Sequence, residues 1–254
     1  MRILVTNDDG IGAVGIELLE RIARTFSDDV TVVAPAEEQS GKSRSLTITT
    51  PIRLRSIDAC HHAVSGTPTD AVIMALAVIM KGAPPDLILS GINRGSNLGE
   101  DVSYSGTVAA AMEGALAGIP SIALSQVYAR NRMGADVSFA VAEVWGRRVL
   151  EPLLEMDWVP RTLVNINFPP VPVEAVKGIR VVRQGLRDYR TPQLEKGTDP
   201  RGFDYYWLHH GRVQPTPHAA TDLEASAQGY VAVTPLHLDL THVPSKTALE
   251  ALYP

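Results

Sequence analysis

An α/β fold is predicted for this chain by three features of its sequence. Short β-rich runs alternate with helix-spaced apolar patterns through roughly the first 150 residues, the rhythm of parallel β-α-β units. The runs themselves, such as "RILVT" and "PDLILSG", are apolar almost throughout, as strands covered on both faces must be. Polar and glycine-rich stretches follow these runs directly, at the strand ends where open parallel sheets bind their ligands. Together these features predict a Rossmann-like three-layer fold with a mostly parallel sheet over residues 1–170, and a C-terminal β-hairpin-rich extension over 171–254. The extension is expected to serve oligomerisation and not to stand as an independent domain.

"RILVT" reads as a first buried strand, "GIELLERIARTF" as an amphipathic helix, and "DVTVVAP" as the second strand. "SLTIT" and "IRLRS" read as two short strands broken by Pro51, which suggests an antiparallel excursion. "TPTDAVIMALAVIMKG" carries helix punctuation, with Thr67 as N-cap, Pro68 in the first turn and Gly82 at the end. "PDLILSG" is the third strand, "GTVAAAMEGALAG" a small-residue helix and "PSIALS" the fourth strand. A longer helix over about 136–155 leads to "TLVNINFP", another strand. Beyond about residue 170, prolines, aromatics and short strands such as "IRVVRQ" and "YVAVTPL" replace this rhythm, and hairpins are expected.

With 254 residues and 45% hydrophobic content, the chain can bury the core of one large domain. A formal net charge of -5 argues against wrapping a nucleic acid polymer or lying on an anionic membrane, so any phosphate binder here must be a pocket. The single cysteine, Cys60, excludes a disulfide framework and a zinc cluster and fits a reducing cytosol. Asp8 and Asp9 come too early for a signal peptide, and the longest apolar stretch, "AVIMALAVIM", is far short of a bilayer span. A cytoplasmic protein is the expectation.

The stretch "AEEQSGKSRS" ends like a nucleotide-binding P-loop, but Ala36 stands where the first glycine is needed and the β-branched "SLTITT" follows instead of a helix. Asp8 and Asp9 are adjacent carboxylates at a strand end, which repel unless a cation or proton lies between them. With no His or Cys nearby, a hard ion such as Mg²⁺ or Mn²⁺ suits them, and a solvated turn is the simpler competing reading. "SGINRGSNLG" adds Asn93 and Asn97 among glycines: an amide oxygen can ligate a cation and its NH₂ can hold a phosphate oxygen, although asparagine also forms ordinary turns. Ser105, Gly106 and Thr107 lie where a loop becomes a helix, so free N–H groups, hydroxyls and the helix dipole converge there. An ordinary N-cap would use the same residues.

Taken together, these strand-end features resemble the SurE (survival protein E) phosphatases, or 5′/3′-nucleotidases. The resemblance runs through "ILVTNDDG", "QSGKSRSLT", "GTPTDAV", "PDLILSGINRGSNLGEDVSYSGTVAAAMEG", "GIPSIALS", "NINFP" and "TDLEASAQGYVAVTPLHLDLT". It implies that Asp8, Asp9, Ser40 and Asn93 hold one divalent metal ion per subunit, Mg²⁺ or Mn²⁺. It makes Ser40 the working residue of "QSGKS", with Lys42 given no role beyond an electrostatic contribution. Asn97, Ser105, Gly106 and Thr107 would form the phosphate-holding side, and Asp8 and Asp9 would be the catalytic carboxylates. The implied chemistry is attack of a metal-activated water on phosphorus, with amide and hydroxyl donors on the phosphoryl oxygens. The implied substrates are nucleoside monophosphates, with 3′-nucleotides and polyphosphate further candidates, and the implied assembly is a homodimer or homotetramer with exchanged C-terminal hairpins.

A receiver-type signalling domain also places an acidic pair after its first strand, but it wants an aspartate ending the third strand, where this chain has Ser90-Gly91. A nucleotide-binding module without turnover is the other alternative. Tyr104 and the tyrosines of "DYR" and "FDYYW" could offer stacking faces, though packing of hairpins is the commoner use of such residues. The seven histidines, at 61, 62, 209, 210, 218, 237 and 242, lie away from the polar loops and are expected in surface or structural roles.

Overall fold

The computed structural model describes residues 1–128, 138–187, 193–209 and 220–253. Strand β1 (Ile3–Thr6) leads into helix α1 (Val14–Ala23), and β2 (Val30–Pro35) returns parallel to β1. A short antiparallel pair follows, β3 (Leu54–Ser56) with β4 (His61–Val64), and β4 runs parallel to β2. Next come α2 (Pro68–Met74), β5 (Leu87–Arg94), α3 (Gly106–Leu116), β6 (Ser121–Gln126), α4 (Ala140–Leu150) and β7 (Thr162–Phe168). The remainder supplies β8 (Ile179–Val181), β9 (Gln193–Thr198), β10 (Asp204–His209), α5 (Asp222–Ala227), β11 (Val231–His237) and α6 (Val243–Glu250).

Among the described residues the main sheet is nine-stranded, in the order β3-β4-β2-β1-β5-β6-β7-β11-β8. The chain builds outward from β1 through β2 on one side, then crosses to β5 on the other. A crevice opens at the carboxyl ends of the strands where a parallel sheet changes direction in this way, which locates the site between β1 and β5.

Alternation along the strands sorts the core into two layers. Ile3 and Val5 face α1 and α4, packing with Ile16, Leu19, Val149 and Leu150. Leu4 points the other way, to a cluster with Val33, Val72 and Ala110 from β2, α2 and α3. Both faces of the sheet are thus covered, in the three-layer arrangement expected from its apolar strands.

Several boundaries differ from expectation. "SLTIT" forms no strand: the Thr47 N–H and hydroxyl donate to the Asp70 carboxylate at 3.1 and 2.6 Å, and Thr67 Oγ1 donates to the Ser45 carbonyl at 2.7 Å. Side-chain bonds to the start of α2 therefore take the place of strand pairing. Thr67 caps α2 as expected, and Asp70 completes a capping box with the Thr67 N–H at 2.9 Å. The helix then continues as a π-helical turn, Ala75–Ile79. The helix expected from about 136 starts at Ala140 and ends in a 3₁₀ turn, Glu151–Glu155. In the tail, β9 and β10 form the expected hairpin, whereas β8 and β11 join the main sheet, β11 running antiparallel to β7. No helix among the described residues is long and apolar enough to cross a membrane.

Candidate active site

Three strand-end loops and one helix start meet beside the β1–β5 switch. The Gln39 N–H donates to the Asp8 carbonyl at 2.8 Å, which ties the loop after β2 to the loop after β1. The Arg94 N–H donates to Asp9 Oδ2 at 3.0 Å, which ties in the end of β5. Thr107 Oγ1 donates to Asp8 Oδ1 at 2.5 Å, which brings the first turn of α3 onto the same carboxylate. Gly106 lets the helix approach so closely: a β-carbon there would lie 2.8 Å from Asp8 Cβ and 2.9 Å from Asp8 Oδ2.

Asp8 is only 4% exposed. Burial is the main reason its carboxyl is pushed up from 3.8 to about 6; the Thr107 hydrogen bond opposes this and the neighbouring Asp9 charge adds to it. Asp9 is raised too, chiefly by burial, with Glu38 adding and the Arg94 N–H and charge opposing. No lysine or arginine among the described residues pairs with Asp8. A buried carboxylate beside another, without a countercharge, is the electrostatic condition a bound cation relieves.

Ser40 and Asn93 stand on the two loops tied to this pair. Ser40 Oγ donates to Glu38 Oε1 at 2.8 Å, which leaves its lone pairs uncommitted. Asn93 Nδ2 donates to the Gly95 carbonyl at 3.1 Å, which leaves its Oδ1 as the open oxygen. A bulge between Ser90 and Asn93 turns the end of β5 at this point. Gly91 in that bend has φ +142°, and a side chain there would run into the Leu124 carbonyl oxygen, so glycine is required.

On the other side of Asp8, Ser105 caps α3 by accepting from the Val108 N–H at 3.0 Å, and among the described residues its hydroxyl donates to no protein group. The proton of Thr107 is already spent on Asp8. Asn97 is buried, its Nδ2 donating to Ser125 Oγ at 2.8 Å and its N–H to Asn167 Oδ1 at 2.9 Å.

Sequence reasoning missed the residues that hold this loop. Asn165 and Asn167 in β7 both donate to the Asn97 carbonyl, at 2.8 and 3.1 Å. Two asparagines at i, i+2 in an otherwise apolar strand were the available signal. Asp222, fully buried, accepts from the Gly99 N–H at 2.9 Å and the Gly185 N–H at 2.8 Å, and nothing local in "TDLEAS" marks that role.

No helix opens after Ser43, so residues 36–45 are not a P-loop, and the Lys42 side chain is exposed. His61 starts β4, at the opposite end of the parallel strands from this site, with its ring nitrogens 3.0 Å from Glu20 and 2.9 Å from Asp58. His210, His218 and the tyrosine of "DYR" lie outside the described residues.

Two carboxylates, a hydroxyl and an amide oxygen would make a hard, all-oxygen donor set, of the kind that suits Mg²⁺ or Mn²⁺ and not zinc. With the countercharge missing from Asp8, the residues present fit a divalent ion.

Comparison with known proteins matches residues 3–191 to the family model "Survival protein SurE". The chain is 64% identical over 253 residues to "5'-nucleotidase SurE" of Rhizorhabdus wittichii, covering 100% of both chains. It is 54% identical over 241 residues to the protein of that name from Erythrobacter litoralis, covering 95% of each. Among solved structures, the SurE protein from Aquifex aeolicus superposes with a TM-score of 0.83 at 39% identity, over 100% of both chains.

Proposed function

The chain belongs to the SurE family, and on that premise we propose that it is a metal-dependent phosphomonoesterase that hydrolyses nucleoside 5′-monophosphates. Nucleotidase activity comes with the family and with full-length relatives of that name. The metal dependence is carried by one observation: Asp8 is buried beside Asp9 with no basic side chain to neutralise it among the described residues.

In this reading Asp8, Asp9, Ser40 and Asn93 hold one Mg²⁺ or Mn²⁺ ion. When bound, such an ion polarises a phosphoryl oxygen and acidifies water for attack on phosphorus. The protein's own part is to bind and orient. Thr107 fixes the Asp8 carboxylate through its hydroxyl proton on Oδ1 and through its backbone N–H. Ser105 has a hydroxyl proton to give and the Gly106 N–H at the start of α3 is unpaired by the helix, so both suit a phosphoryl oxygen on which charge develops, while the Thr107 N–H serves the Asp8 carboxylate. Asn97 keeps one amide hydrogen beyond the one used on Ser125. Asp8 and Asp9 are the carboxylates we assign to accept a proton from water.

The same pocket chemistry extends to 3′-nucleotides and to the terminal phosphate of polyphosphate. A cytoplasmic homodimer or homotetramer is the form we propose. The β9–β10 hairpin, which stands apart from the main sheet with Phe203, Tyr205, Tyr206 and Trp207 exposed, supports a subunit contact.

Phosphate release from 5′-AMP, 3′-AMP and polyphosphate, each with Mg²⁺, Mn²⁺ or EDTA, tests the reading. Release from 5′-AMP with either ion, its loss in EDTA and its return on adding the ion in excess are expected. Undiminished release in chelator would rule out the metal mechanism.

A further inference from the structure

A cleft of about 730 Å³ opens beside Asp9, within the size range of small-molecule sites. Asp9 and Ser40 line one end, and Arg94, Tyr128, Phe139 and Val14 line the rest. The end near Asp9 belongs to the metal site proposed above. The other lining residues have no part in phosphate chemistry, and their character is different.

We propose that this part of the cleft is the nucleobase subsite and that Tyr128 is its stacking platform. The assignment rests on the nucleotidase reading. Tyr128 follows β6 and is 36% exposed. Its ring edge lies over Gly95, where a β-carbon would come 3.4 Å from Tyr128 Cε1, so the absence of a side chain there lets the ring form the wall of the Asn93–Asn97 loop. Phe139 is packed against the core and therefore fixed in place. Val14, at the first turn of α1, leaves an apolar surface 65% exposed inside the cleft. Arg94 has its backbone N–H on Asp9 and an exposed side chain lining the same cleft, where a planar guanidinium can meet a base edge or face.

The occupant follows from this lining. A tyrosine face, a phenylalanine and a bare valine suit a flat, neutral heterocycle, which stacks well and sheds water cheaply. A second phosphate is disfavoured, because the Glu38 carboxylate shares the lining with the lone Arg94. Tyr104, the other exposed tyrosine near the loops, does not line this cleft.

The test uses the protein with Mn²⁺ in three forms: wild type, Tyr128→Ala and Tyr128→Phe. Adenosine binding, measured by calorimetry, reads the subsite without any phosphate. KM and kcat are then compared for AMP and ribose 5-phosphate, which has an anomeric hydroxyl in place of the base. Stacking of this kind is worth about tenfold, so Tyr128→Ala should weaken adenosine and raise the AMP KM by about that factor. Its kcat and its ribose 5-phosphate KM should stay at wild-type values, and Tyr128→Phe should restore both losses. The proposal is overturned if wild type does not bind adenosine, if Tyr128→Ala binds it equally well, or if the KM values for AMP and ribose 5-phosphate move together. Wild-type phosphate release from AMP reports separately on the nucleotidase reading. Adenosine binding that depends on Tyr128 in a protein that releases no phosphate would support the subsite and sink that reading instead.

Discussion

Asp8→Asn is expected to lower phosphate release from AMP on the order of a thousandfold, the loss of several kcal/mol of charge stabilisation, while making the metal-free protein more stable at neutral pH. The two effects have one cause. Burial, with the Asp9 charge adding and the Thr107 hydrogen bond opposing, lifts the Asp8 carboxyl from 3.8 to about 6. The folded state therefore binds this proton more tightly than the unfolded chain does. The resulting stability is fully present below about pH 4 and is lost as the pH rises through about 6. At pH 7 and without metal, the wild type carries the whole penalty, about 3 kcal/mol at 1.36 kcal/mol per pKa unit. A neutral amide still accepts the Thr107 hydrogen bond and carries none of it. In EDTA the variant should thus unfold several degrees above wild type at pH 7, and the two should converge below pH 4. Adding Mn²⁺ should raise the melting temperature of the wild type only, by mass action on the folded state. A variant that keeps both AMP turnover and its Mn²⁺-dependent stabilisation would remove Asp8 from the site.

The second large effect is expected at Gly106. Its φ is not in the left-handed region, so alanine is acceptable to the backbone and the consequence comes from contact alone. The new methyl would lie 2.8 Å from Asp8 Cβ, 2.9 Å from Asp8 Oδ2 and 3.0 Å from Pro68 Cγ. Asp8 Cβ sits next to the backbone and Pro68 Cγ belongs to a closed ring, so neither can swing aside, and either α3 retreats or the Asp8 side chain moves. Displacing a reacting group by about 1 Å costs about a hundredfold in rate, and overpacking costs about 1–3 kcal/mol of stability. Gly106→Ala should accordingly turn over AMP about a hundredfold more slowly, with a lower melting temperature and weaker Mn²⁺ binding. Wild-type turnover in this variant would show that the helix start does not press on the carboxylate.

Much of this architecture could be read from the chain because the responsible interactions are local. The strands declared themselves through apolar runs, and alternation within "ILV" already divides Ile3 and Val5 from Leu4, which face opposite layers. Thr67, Pro68 and Asp70 announce the start of α2 within four consecutive residues. The misreadings arose where side chains reached across the sequence. Thr47 satisfies its backbone on Asp70, so a β-branched stretch makes no strand. "HHAV" forms β4 although two histidines mask its apolar character. At the site, Asp8, Asp9, Ser40 and Asn93 stand on loops that meet, as expected of successive strand ends. What could not be read was the bonding between distant segments. Thr107 spends its hydroxyl on a carboxylate 99 positions away, and Asn165 and Asn167 hold the Asn97 loop from 68 and 70 positions away. Nothing in a local window reports such a partner.

Diffraction from crystals soaked in Mn²⁺, collected at the manganese absorption edge, locates the ion directly. A single anomalous peak per subunit is expected, touching carboxylate oxygens of Asp8 and Asp9, the Ser40 hydroxyl and the Asn93 side-chain oxygen. A peak elsewhere on the protein, or none while the protein is hydrolysing AMP, would contradict catalysis by a cation held between these loops.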